Sequence, residues 1–301
     1  MNYIKSPIFY MGNKYELLPQ LMQIFPKNIN TFYDVFGGSG VVSLNVKANN
    51  VVYNEINHNV HKLLKIFKEY TSDEIIGHIE NRIKEFELPN EINDNRGQKK
   101  YLDFRNFYNN SKDNILDLYA LTYFSFCNLM RFNSKSEFNM PYGNRCYSNK
   151  KHKQKIKNAC NLFKRKNIHF LDKDAFDLLN KTTFQENDFV YCDPPYLNTE
   201  AIYNEKRAFG GWTIEHDYEL FEELDKLDSK GVKWCLSNVK ENKGNTNQHL
   251  IDWANEKGYR IIGMSKNYSA LGKGSANTYE ICVINYETNL EGFKIIQERL
   301  F

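Results

Sequence analysis

The stretch Phe32-Tyr33-Asp34-Val35-Phe36-Gly37-Gly38-Ser39-Gly40 decides the fold of this chain. Its first five residues are mostly aromatic and β-branched and predict a buried strand, which the glycines then end in a tight turn. An apolar helical pattern follows over 41–46, and a second short strand is predicted over Val51–Glu55. A strand, a glycine turn, a helix and a second strand ending in an acid form the opening of a doubly wound α/β sheet.

Further strand patterns recur in the second half of the chain. They cover Ile168–Leu171, Phe189–Cys192, Lys233–Ser237, Tyr259–Met264 and Glu280–Tyr286. The last two frame a loop that contains Gly and Ser, Ala270–Ala276, and predict a long antiparallel hairpin. A helix is predicted over Ile214–Leu227, and the pattern from His58 to Phe126 is helical throughout. We therefore expect one α/β domain that is interrupted by a helical insert.

A second informative stretch, Asp193-Pro194-Pro195-Tyr196, follows the strand pattern Phe189–Cys192 directly. Two consecutive prolines end the strand and fix the turn, at the carboxyl end where open α/β sheets bind their ligands. The Asp193 carboxylate and a backbone carbonyl can accept both N–H bonds of an exocyclic amino group while the Tyr196 ring stacks on the base. Taken alone, the stretch is equally compatible with a turn that carries a solvated aspartate.

Composition limits the class of protein. A chain of 301 residues can bury a large core, in one big domain or two smaller ones. No apolar run is long enough to cross a bilayer, and the start Met1–Lys5 lacks the apolar core of a signal peptide. The six scattered cysteines contain no C-x-x-C pair. We therefore expect a cytoplasmic protein with reduced thiols and without a metal site.

Charge is distributed unevenly although the net charge is only +3. No acidic residue occurs between Phe138 and Leu171, where nine basic residues fall. They are Arg145, Lys150, Lys151, Lys153, Lys155, Lys157, Lys164, Arg165 and Lys166. Most charge runs are solvated helix faces, but the complete exclusion of Asp and Glu over such a length favours contact with the phosphates of a polyanion.

The glycine turn is neither a G-x-G-x-x-G dinucleotide fingerprint nor a P-loop. Its glycines allow the backbone to approach a ligand closely. Glu55, at the end of the second predicted strand, can accept hydrogen bonds from both hydroxyls of a ribose. A lone glutamate is ordinarily solvated surface, whereas Glu55 together with the turn favours ribose binding.

With the glycine turn, Glu55 and Asp193–Tyr196 in this order, the chain resembles the S-adenosylmethionine-dependent DNA adenine-N6 methyltransferases of the Dam type. These form the D12 class, and the likeness is greatest to their phage-encoded members. It extends over nearly the whole chain, and the further stretches that carry it are Tyr10–Lys14, Asn128–Asn133, Phe138–Gly143 and Leu236–Asn238. The resemblance implies a class I methyltransferase sheet and an inserted, mainly helical target recognition domain. The catalytic domain would cover 1–57 and 149–301, and the recognition domain with its DNA-reading hairpin 58–148.

The same resemblance implies a site for S-adenosylmethionine. The residues that match the family's cofactor positions are Tyr10, Lys14, Asp34, Phe36, Gly37, Gly40, Glu55, Asp174 and Asp193. Asp34 would meet the methionine amino group and Asp174 the adenine of the cofactor, with Asp172 as an alternative for the latter. Asp193, Pro194 and Tyr196 would be the catalytic residues.

On the recognition side, the resemblance implies that Arg131 reads a guanine, the natural partner of an arginine fork. The other positions that match DNA contacts are Leu129 and Pro141, at a thymine methyl, and Arg105, Asn133 and Asn139, at phosphates. GATC is the implied site. However, Phe9 stands where the cellular Dam enzymes have a lysine and Phe126-Cys127 where they have Tyr-Asn. Relatives that read GATATC share much of the R-F-N-S-K stretch, so that site stays open.

We therefore expect an enzyme that methylates N6 of a flipped adenine in duplex DNA, in the cytoplasm of a bacterial or phage-infected cell. An N4-cytosine or RNA-adenine methyltransferase with the same site is the alternative, and a DNA-binding regulator without turnover is a different class. We expect the protein to act on DNA as a monomer or weak dimer, without a membrane, and to have a cognate restriction endonuclease as a partner. The long polar segment Leu197–Trp212 is expected to be a closing loop.

Overall fold

The computed structural model describes residues 3–91, 96–111, 114–147, 149–197, 211–242, 244–264, 279–289, 291 and 293–295. Two loops that the sequence predicted therefore fall outside the described residues. They are the hairpin loop Ala270–Ala276 and all of the closing segment except Leu197, Gly211 and Trp212.

The strands form one mixed sheet. They are β1 (Thr31–Asp34), β2 (Asn50–Asn54), β3 (Ile168–Leu171), β4 (Phe189–Cys192), β5 (Lys233–Asn242), β6 (Asn245–Thr246), β7 (Arg260–Met264), β8 (Tyr279–Ile284) and β9 (Lys294–Ile295). The order is β3-β2-β1-β4-β5-β8-β7-β9, and β6 pairs with the end of β5. Strands β1 to β5 are parallel, and β8 lies antiparallel between β5 and β7. The predicted doubly wound sheet with a terminal antiparallel hairpin is confirmed.

Helices cover the sheet and fill the insert. They are α1 (Leu18–Ile24), α2 (Val41–Asn45), α3 (His58–Glu69), α4 (Ser72–Glu85), α5 (Gly97–Ser111), α6 (Ile115–Thr122), α7 (Asn149–Arg165), α8 (Ala175–Lys181), α9 (Ile214–Ser229) and α10 (Gln248–Glu256). Short 3₁₀ turns occur at Tyr15–Leu17 and Phe126–Asn128. Within the described part of the chain, no helix is both long enough and apolar enough to cross a membrane.

Strand β4 is buried on both faces, which explains its unbroken apolar sequence. Phe189 and Tyr191 belong to the core cluster that continues into the helical insert. Val190 and Cys192 point to the second cluster, between the sheet and α9. Because parallel strands at the centre of a sheet are covered on both sides, residue type rather than alternation identified this strand.

Helix α3 is the first helix after the boundary predicted at residue 57, and its core is continuous with that of the sheet. Phe67 of α3 stacks on Phe163 of α7 with centroids 6.0 Å apart. Phe163 in turn stacks on Phe170 of β3 at 5.8 Å. His61 of α3 also lies 3.0 Å from the Leu171 carbonyl oxygen, through Nδ1. The division at residue 57 stays a prediction. These contacts pack α3, the first helix of the insert, against α7 and β3.

Gly37 has no space for a side chain. A Cβ there would lie 2.2 Å from Tyr53 Cε2 and 2.9 Å from the Asn54 carbonyl oxygen. We expect Gly37→Ala to lower the free energy of unfolding by about 1–3 kcal/mol, because the buried Tyr53 ring must move. Chemical denaturation measures this change.

Gly77 in α4 supplies the control, because a Cβ there meets nothing within 4 Å. Gly77→Ala is expected to raise the free energy of unfolding by about 0.5–1 kcal/mol, since alanine is the better helix former. Equal unfolding midpoints for the two variants would contradict the steric argument.

Candidate active site

A cavity of about 380 Å³ opens at the carboxyl ends of β1 and β4. This volume is within the range of small-molecule sites. Strand β1 has β2 on one side and β4 on the other, so the cavity lies at the point where the strand order reverses. The predicted residues that line it are Tyr10, Lys14, Asp34, Phe36, Gly37, Glu55, Asp174, Asp193, Pro194 and Tyr196. The fold thus gathers residues from distant parts of the sequence at one site.

Glu55 holds the glycine turn from the end of β2. Its Oε2 accepts a hydrogen bond from the Gly38 N–H at 2.7 Å, and its Oε1 accepts one from the Asn57 N–H at 2.8 Å. The carboxylate is therefore fixed at the cavity wall. Two bonds do not exhaust a carboxylate, which offers about four acceptor positions. This geometry is compatible with the predicted ribose contact.

Gly40 packs behind the turn and not on the cavity wall. It precedes α2 with φ 68°, a left-handed conformation that favours glycine. A Cβ there would lie 2.9 Å from Leu64 Cδ1. Its N–H donates to the Gly37 carbonyl at 2.8 Å. Gly40 shapes the turn. The contact with the cofactor that the resemblance implies for it stays a prediction.

Asp34 is almost fully buried, with 1% of its surface exposed. Its Oδ2 accepts a hydrogen bond from the Ser43 hydroxyl at 2.6 Å. Burial raises the pKa of Asp34 to about 7, and the Ser43 hydroxyl opposes that shift. The floor of the cavity therefore carries an acid that titrates near neutrality.

Asp193 is engaged at both carboxylate oxygens. Lys14 Nζ lies 2.7 Å from Oδ2, and the Tyr196 hydroxyl donates to Oδ1 at 2.8 Å. The Lys14 side chain is 5% exposed and that of Asp193 is 17% exposed, so the pair is largely shielded from water. Lys14 Nζ also lies 5.1 Å from the Tyr196 ring centroid. Lys14, predicted to lie against the cofactor, is thus the ionic partner of the predicted catalytic acid.

The electrostatics of Asp193 follow from this arrangement. Burial raises the pKa of Asp193, and the Lys14 ammonium and the Tyr196 hydroxyl lower it. The negative charge of Glu280, which lines the same cavity from β8, acts in the same direction as burial. Lys14 is therefore the group that most favours the ionised carboxylate.

The two candidates for the adenine contact occupy different environments. Asp174 lines the cavity and caps α8, because its Oδ1 accepts from the Phe176 and Asp177 N–H groups at 2.9 and 3.2 Å. The Asp172 side chain is 54% exposed and lies 3.6 Å from His58 Nδ1. The cavity therefore favours Asp174.

Asn54 is a site residue that the sequence did not indicate. Its Nδ2 donates to the Lys173 carbonyl at 2.9 Å, and its Oδ1 accepts from the Lys173 N–H at 2.9 Å. Nδ2 also donates to the Val35 carbonyl at 3.0 Å. This side chain joins the ends of β1, β2 and β3 and fixes the segment that presents Asp174.

An aromatic wall completes the cavity, and Trp212 is its centre. Its ring stacks with those of Phe176 and His216, with centroids 6.1 and 5.3 Å away. Its Nε1 donates to Asp217 Oδ1 at 2.6 Å, and His249 Nε2 lies 2.7 Å from Asp217 Oδ2. The place of Trp212 at the end of the predicted polar segment Leu197–Trp212 gives no indication of this role. An aromatic residue directly before the Thr213 cap of α9 was the available signal.

The predicted recognition hairpin lies over residues 125–142. The Asn139 N–H donates to the Arg131 carbonyl and the Phe126 N–H to the Pro141 carbonyl, each at 2.9 Å. Helix α5 holds the main chain of the returning segment, residues 138–140, through Tyr101, Arg105 and Asn109. Tyr101 Oη and Arg105 Nη1 donate to the Met140 carbonyl at 2.8 and 3.3 Å, and Asn109 Nδ2 donates to the Phe138 carbonyl at 3.0 Å. The spacing of four residues places these three side chains on one helix face.

The residues predicted to contact DNA fall into two groups, those that lie at the hairpin surface and those that bond within the protein. Pro141 is exposed and Leu129 is half-buried on it. Arg105 braces the hairpin from α5, and Asn133 closes its turn, where its Oδ1 accepts the Lys135 and Glu137 N–H groups at 3.0 and 2.9 Å. Both side chains thus have a role within the protein, in addition to the phosphate role that the resemblance implied.

Comparison with known proteins decides the family. A sequence model of the D12 class N6 adenine-specific DNA methyltransferases matches residues 10–264. The chain belongs to this family. The earlier resemblance to the D12 class is therefore confirmed.

Among its relatives are two modification methylases and a DNA adenine methylase. The chain is 38% identical over 292 residues to modification methylase StsI of Streptococcus sanguinis, with 95% of this chain and 43% of that protein covered. It is 37% identical over 289 residues to type II methyltransferase M.FokI of Planomicrobium okeanokoites, with 95% and 43% covered. Identity to the DNA adenine methylase of Escherichia coli K12 is 26% over 238 residues, with 76% and 78% covered. The chain spans less than half the length of the first two relatives.

The acid-free segment of this D12-class chain is divided between internal and surface roles. Lys166 donates to the Ser43 and Val46 carbonyls at 2.8 and 2.6 Å and so caps α2. Lys155 Nζ lies 4.2 Å from the Phe9 ring centroid, and burial lowers the pKa of Lys155 to about 8. The members that are exposed are Arg145, Lys150, Lys151, Lys157, Lys164 and Arg165. Only part of the run is available to a polyanion.

Replacement of Lys14 by methionine tests its role beside Asp193. The pKa of Asp193 is expected to rise further in Lys14→Met, because the charge that opposes burial is lost. Methyl transfer that requires the ionised acid should then begin to fall at a higher pH than in the parent. Single-turnover rates across pH, at saturating cofactor, measure this shift.

Lys14→Arg is the matched control, since it keeps the charge and should keep the acid limb of the profile near that of the parent. An acid limb at the same pH in parent and Lys14→Met would refute the assigned role.

Asp217 and Asp225 of α9 form a matched pair for testing the aromatic wall. Each accepts from a tryptophan Nε1, Asp217 from Trp212 in the cavity and Asp225 from Trp253 in the second core, at 2.6 and 3.2 Å. We expect Asp217→Ala to weaken binding of S-adenosylhomocysteine by roughly three- to tenfold, since the Trp212 ring loses a charge-assisted anchor. Calorimetric titration checks this value. An equal loss of affinity in Asp225→Ala would show that the effect is general destabilisation.

Proposed function

We propose that this chain transfers a methyl group from S-adenosylmethionine to N6 of an adenine that has left the DNA duplex. The observation that carries the proposal is the common cavity of Asp193 and Glu55. The acceptor-bearing Asp193–Tyr196 turn and the glycine turn clamped by Glu55 line the same space. A donor nucleoside and a planar amine can therefore meet there.

The residues present fit S-adenosylmethionine. Glu55 is fixed at the wall, where it would accept from the two hydroxyls of a ribose, and Asp34 lines the same cavity, where it would accept from the methionine amino group. Asp174 and the Phe176 and Trp212 rings supply an acceptor and apolar faces for an adenine. The cofactor, when bound, supplies an electrophilic methyl group on its sulfonium.

Asp193 and the Pro194 carbonyl would accept the two N–H bonds of the target amino group. The nitrogen lone pair, otherwise delocalised into the ring, can then be directed at the methyl carbon, and the carboxylate stabilises the charge that develops on nitrogen. The amine need not lose a proton before attack. Asp193 can add such a bond while it keeps Lys14 and Tyr196, because each carboxylate oxygen has two lone pairs.

Tyr196 and Lys14 would prepare this acceptor. The hydroxyl bond to Asp193 Oδ1 holds the Tyr196 ring beside the acid, where it can stack on a flipped base. The Lys14 ammonium favours the ionised form of this largely shielded acid. Alignment of the two substrates supplies much of the remaining rate gain.

The finer assignments belong to the same proposal. GATC is the proposed recognition site, supported by the match of Arg131, Leu129 and Pro141 to the family's reading positions, and GATATC is the alternative. Duplex DNA is the proposed partner, met as a monomer or weak dimer in the cytoplasm. A cognate restriction endonuclease is proposed because two relatives are named as a modification methylase and a type II methyltransferase.

Asp193→Ala tests the proposal. We expect incorporation of labelled methyl groups into duplex DNA to fall by at least about a hundredfold, because the acceptor of the amino group is lost. Affinity for DNA should largely persist, as a gel-shift titration would show. Retained turnover within about tenfold of the parent would contradict the role of Asp193.

Tyr196→Phe is the companion variant, since it keeps the stacking ring and removes only the hydroxyl. It should lose less activity than Tyr196→Ala. Sequencing of modified bases in DNA from cells that express the parent reports base, atom and context together. Methyl groups on cytosine N4, or on RNA alone, would overturn the assignment to DNA adenine.

A further inference from the structure

Arg131 and Asn139 form a closely bonded pair across the recognition hairpin. Arg131 Nε donates to Asn139 Oδ1 at 2.9 Å, and Arg131 Nη2 donates to the Asn139 carbonyl at 3.0 Å. The Asn139 N–H returns a bond to the Arg131 carbonyl at 2.9 Å. Both side chains are half-buried. Asn139 thus binds the Arg131 guanidinium through both its side chain and its main chain.

This grip uses one edge of the guanidinium. The group is planar, and its N–H donors point outward in a fixed fork. Asn139 takes the edge that carries Nε and one Nη2 hydrogen. The end of the fork, with Nη1 and the second Nη2 hydrogen, then points away from Asn139. Two parallel donors at that end match the O6 and N7 acceptors of guanine in the major groove.

We propose that Asn139 is a positioning residue for base reading, which fixes the Arg131 guanidinium so that its end faces a guanine. The inference rests on the proposed function of the chain on duplex DNA. It differs from the phosphate contact that the family resemblance implies for Asn139. It also gives this residue an effect on site choice and not only on affinity.

The contacts around the Arg131–Asn139 pair hold Asn139 in a fixed position. Helix α5 also holds the two residues that flank Asn139. Asn109 bonds to both the N–H and the carbonyl of Phe138, and Tyr101 donates to the Met140 carbonyl. Asn139 is therefore fixed before any ligand binds. A free arginine loses much rotamer freedom when it docks, and an arginine held in advance loses less. A fork in one orientation also rejects a base that lacks the matching acceptors, since its donors would stay unpaired.

The experiment compares site discrimination between variants. The site that the parent methylates is first identified in the DNA of expressing cells. A set of duplexes is then made in which each base pair of that site is replaced in turn, and kcat/KM for methyl transfer is measured on each. The variants are Arg131→Ala, Asn139→Ala and Asn139→Asp, the last of which keeps an acceptor for Arg131 Nε.

Arg131→Ala should lose about ten- to hundredfold of the discrimination at one base pair. Asn139→Ala is expected to lose discrimination at that same base pair, by about three- to tenfold, and to keep it at the others. Asn139→Asp should retain most of it. A phosphate contact of Asn139 would instead lower kcat/KM equally on every duplex in Asn139→Ala, and that outcome would overturn the inference.

Asn109→Ala controls for loosening of the hairpin. It removes a hairpin anchor on Phe138 but leaves the atoms that grip Arg131 in place. It should lower activity on all duplexes alike, without a selective loss at the base pair that Arg131 reads. A selective loss in Asn109→Ala equal to that in Asn139→Ala would show that any disturbance of the hairpin has this effect, which also overturns the inference.

A readout without DNA complements the kinetics. The Arg131 Nε–H, bonded to Asn139 in the parent, should give a slowly exchanging NMR signal that is lost in Asn139→Ala and kept in Asn109→Ala. A parent that methylates no duplex would overturn the proposed function and this inference together. An active parent with uniform losses in Asn139→Ala would overturn the inference alone.

Discussion

A buried acid, Asp34, and a largely shielded acid, Asp193, lie next to each other where β1 and β4 end, because the sheet order makes these two strands neighbours. The strands are neighbours and parallel, with Asp34 in register with Tyr191, two residues before Asp193. The strand that follows β1 in the chain lies on one side and the strand that follows β4 lies on the other, so no connection covers the gap. Burial raises the pKa of both carboxyls. The cation of Lys14, brought in from the segment before α1, offsets this at Asp193. The other residues that line the cavity surround these three charged groups.

The sequence predicted the sheet well and the individual helices less well. Six strands, β1, β2, β3, β4, β7 and β8, were placed to within two residues, because strands have a narrow composition and their ends are often marked by glycine, proline or acidic residues. Helices α1 and α8, of seven residues each, are too short to show a clear period. Helix α7 was interpreted only as a run of charge. Its apolar members, such as Phe163, become a recognisable face once Phe67 and Phe170 are known to pack on them.

The candidate site was predictable to the extent that it depends on residues near strand ends. Asp193, Glu55 and the glycine turn follow that rule. Trp212 lies outside that rule, and Asn54 was missed although it ends β2. Their roles come from the contacts with Asp217 and Lys173, which no sequence motif indicates, and Lys173 is more than a hundred residues from Asn54 in sequence. The same holds for Asn139, whose side chain meets Arg131 only after the hairpin has folded. Motifs identify which atoms are needed, and tertiary contacts determine which neighbours hold them.

Helix α5 supports the hairpin through the carbonyls of Phe138 and Met140 and the N–H of Phe138, atoms that every residue type possesses except for the N–H of proline. A change of side chain on the outer face of the hairpin therefore leaves these supports intact. Asp193, the predicted catalytic acid, lies on a separate element, directly after β4. Under the proposed function, this arrangement would let evolution alter which DNA sequence is chosen, one surface residue at a time, without a change at the Asp193 turn.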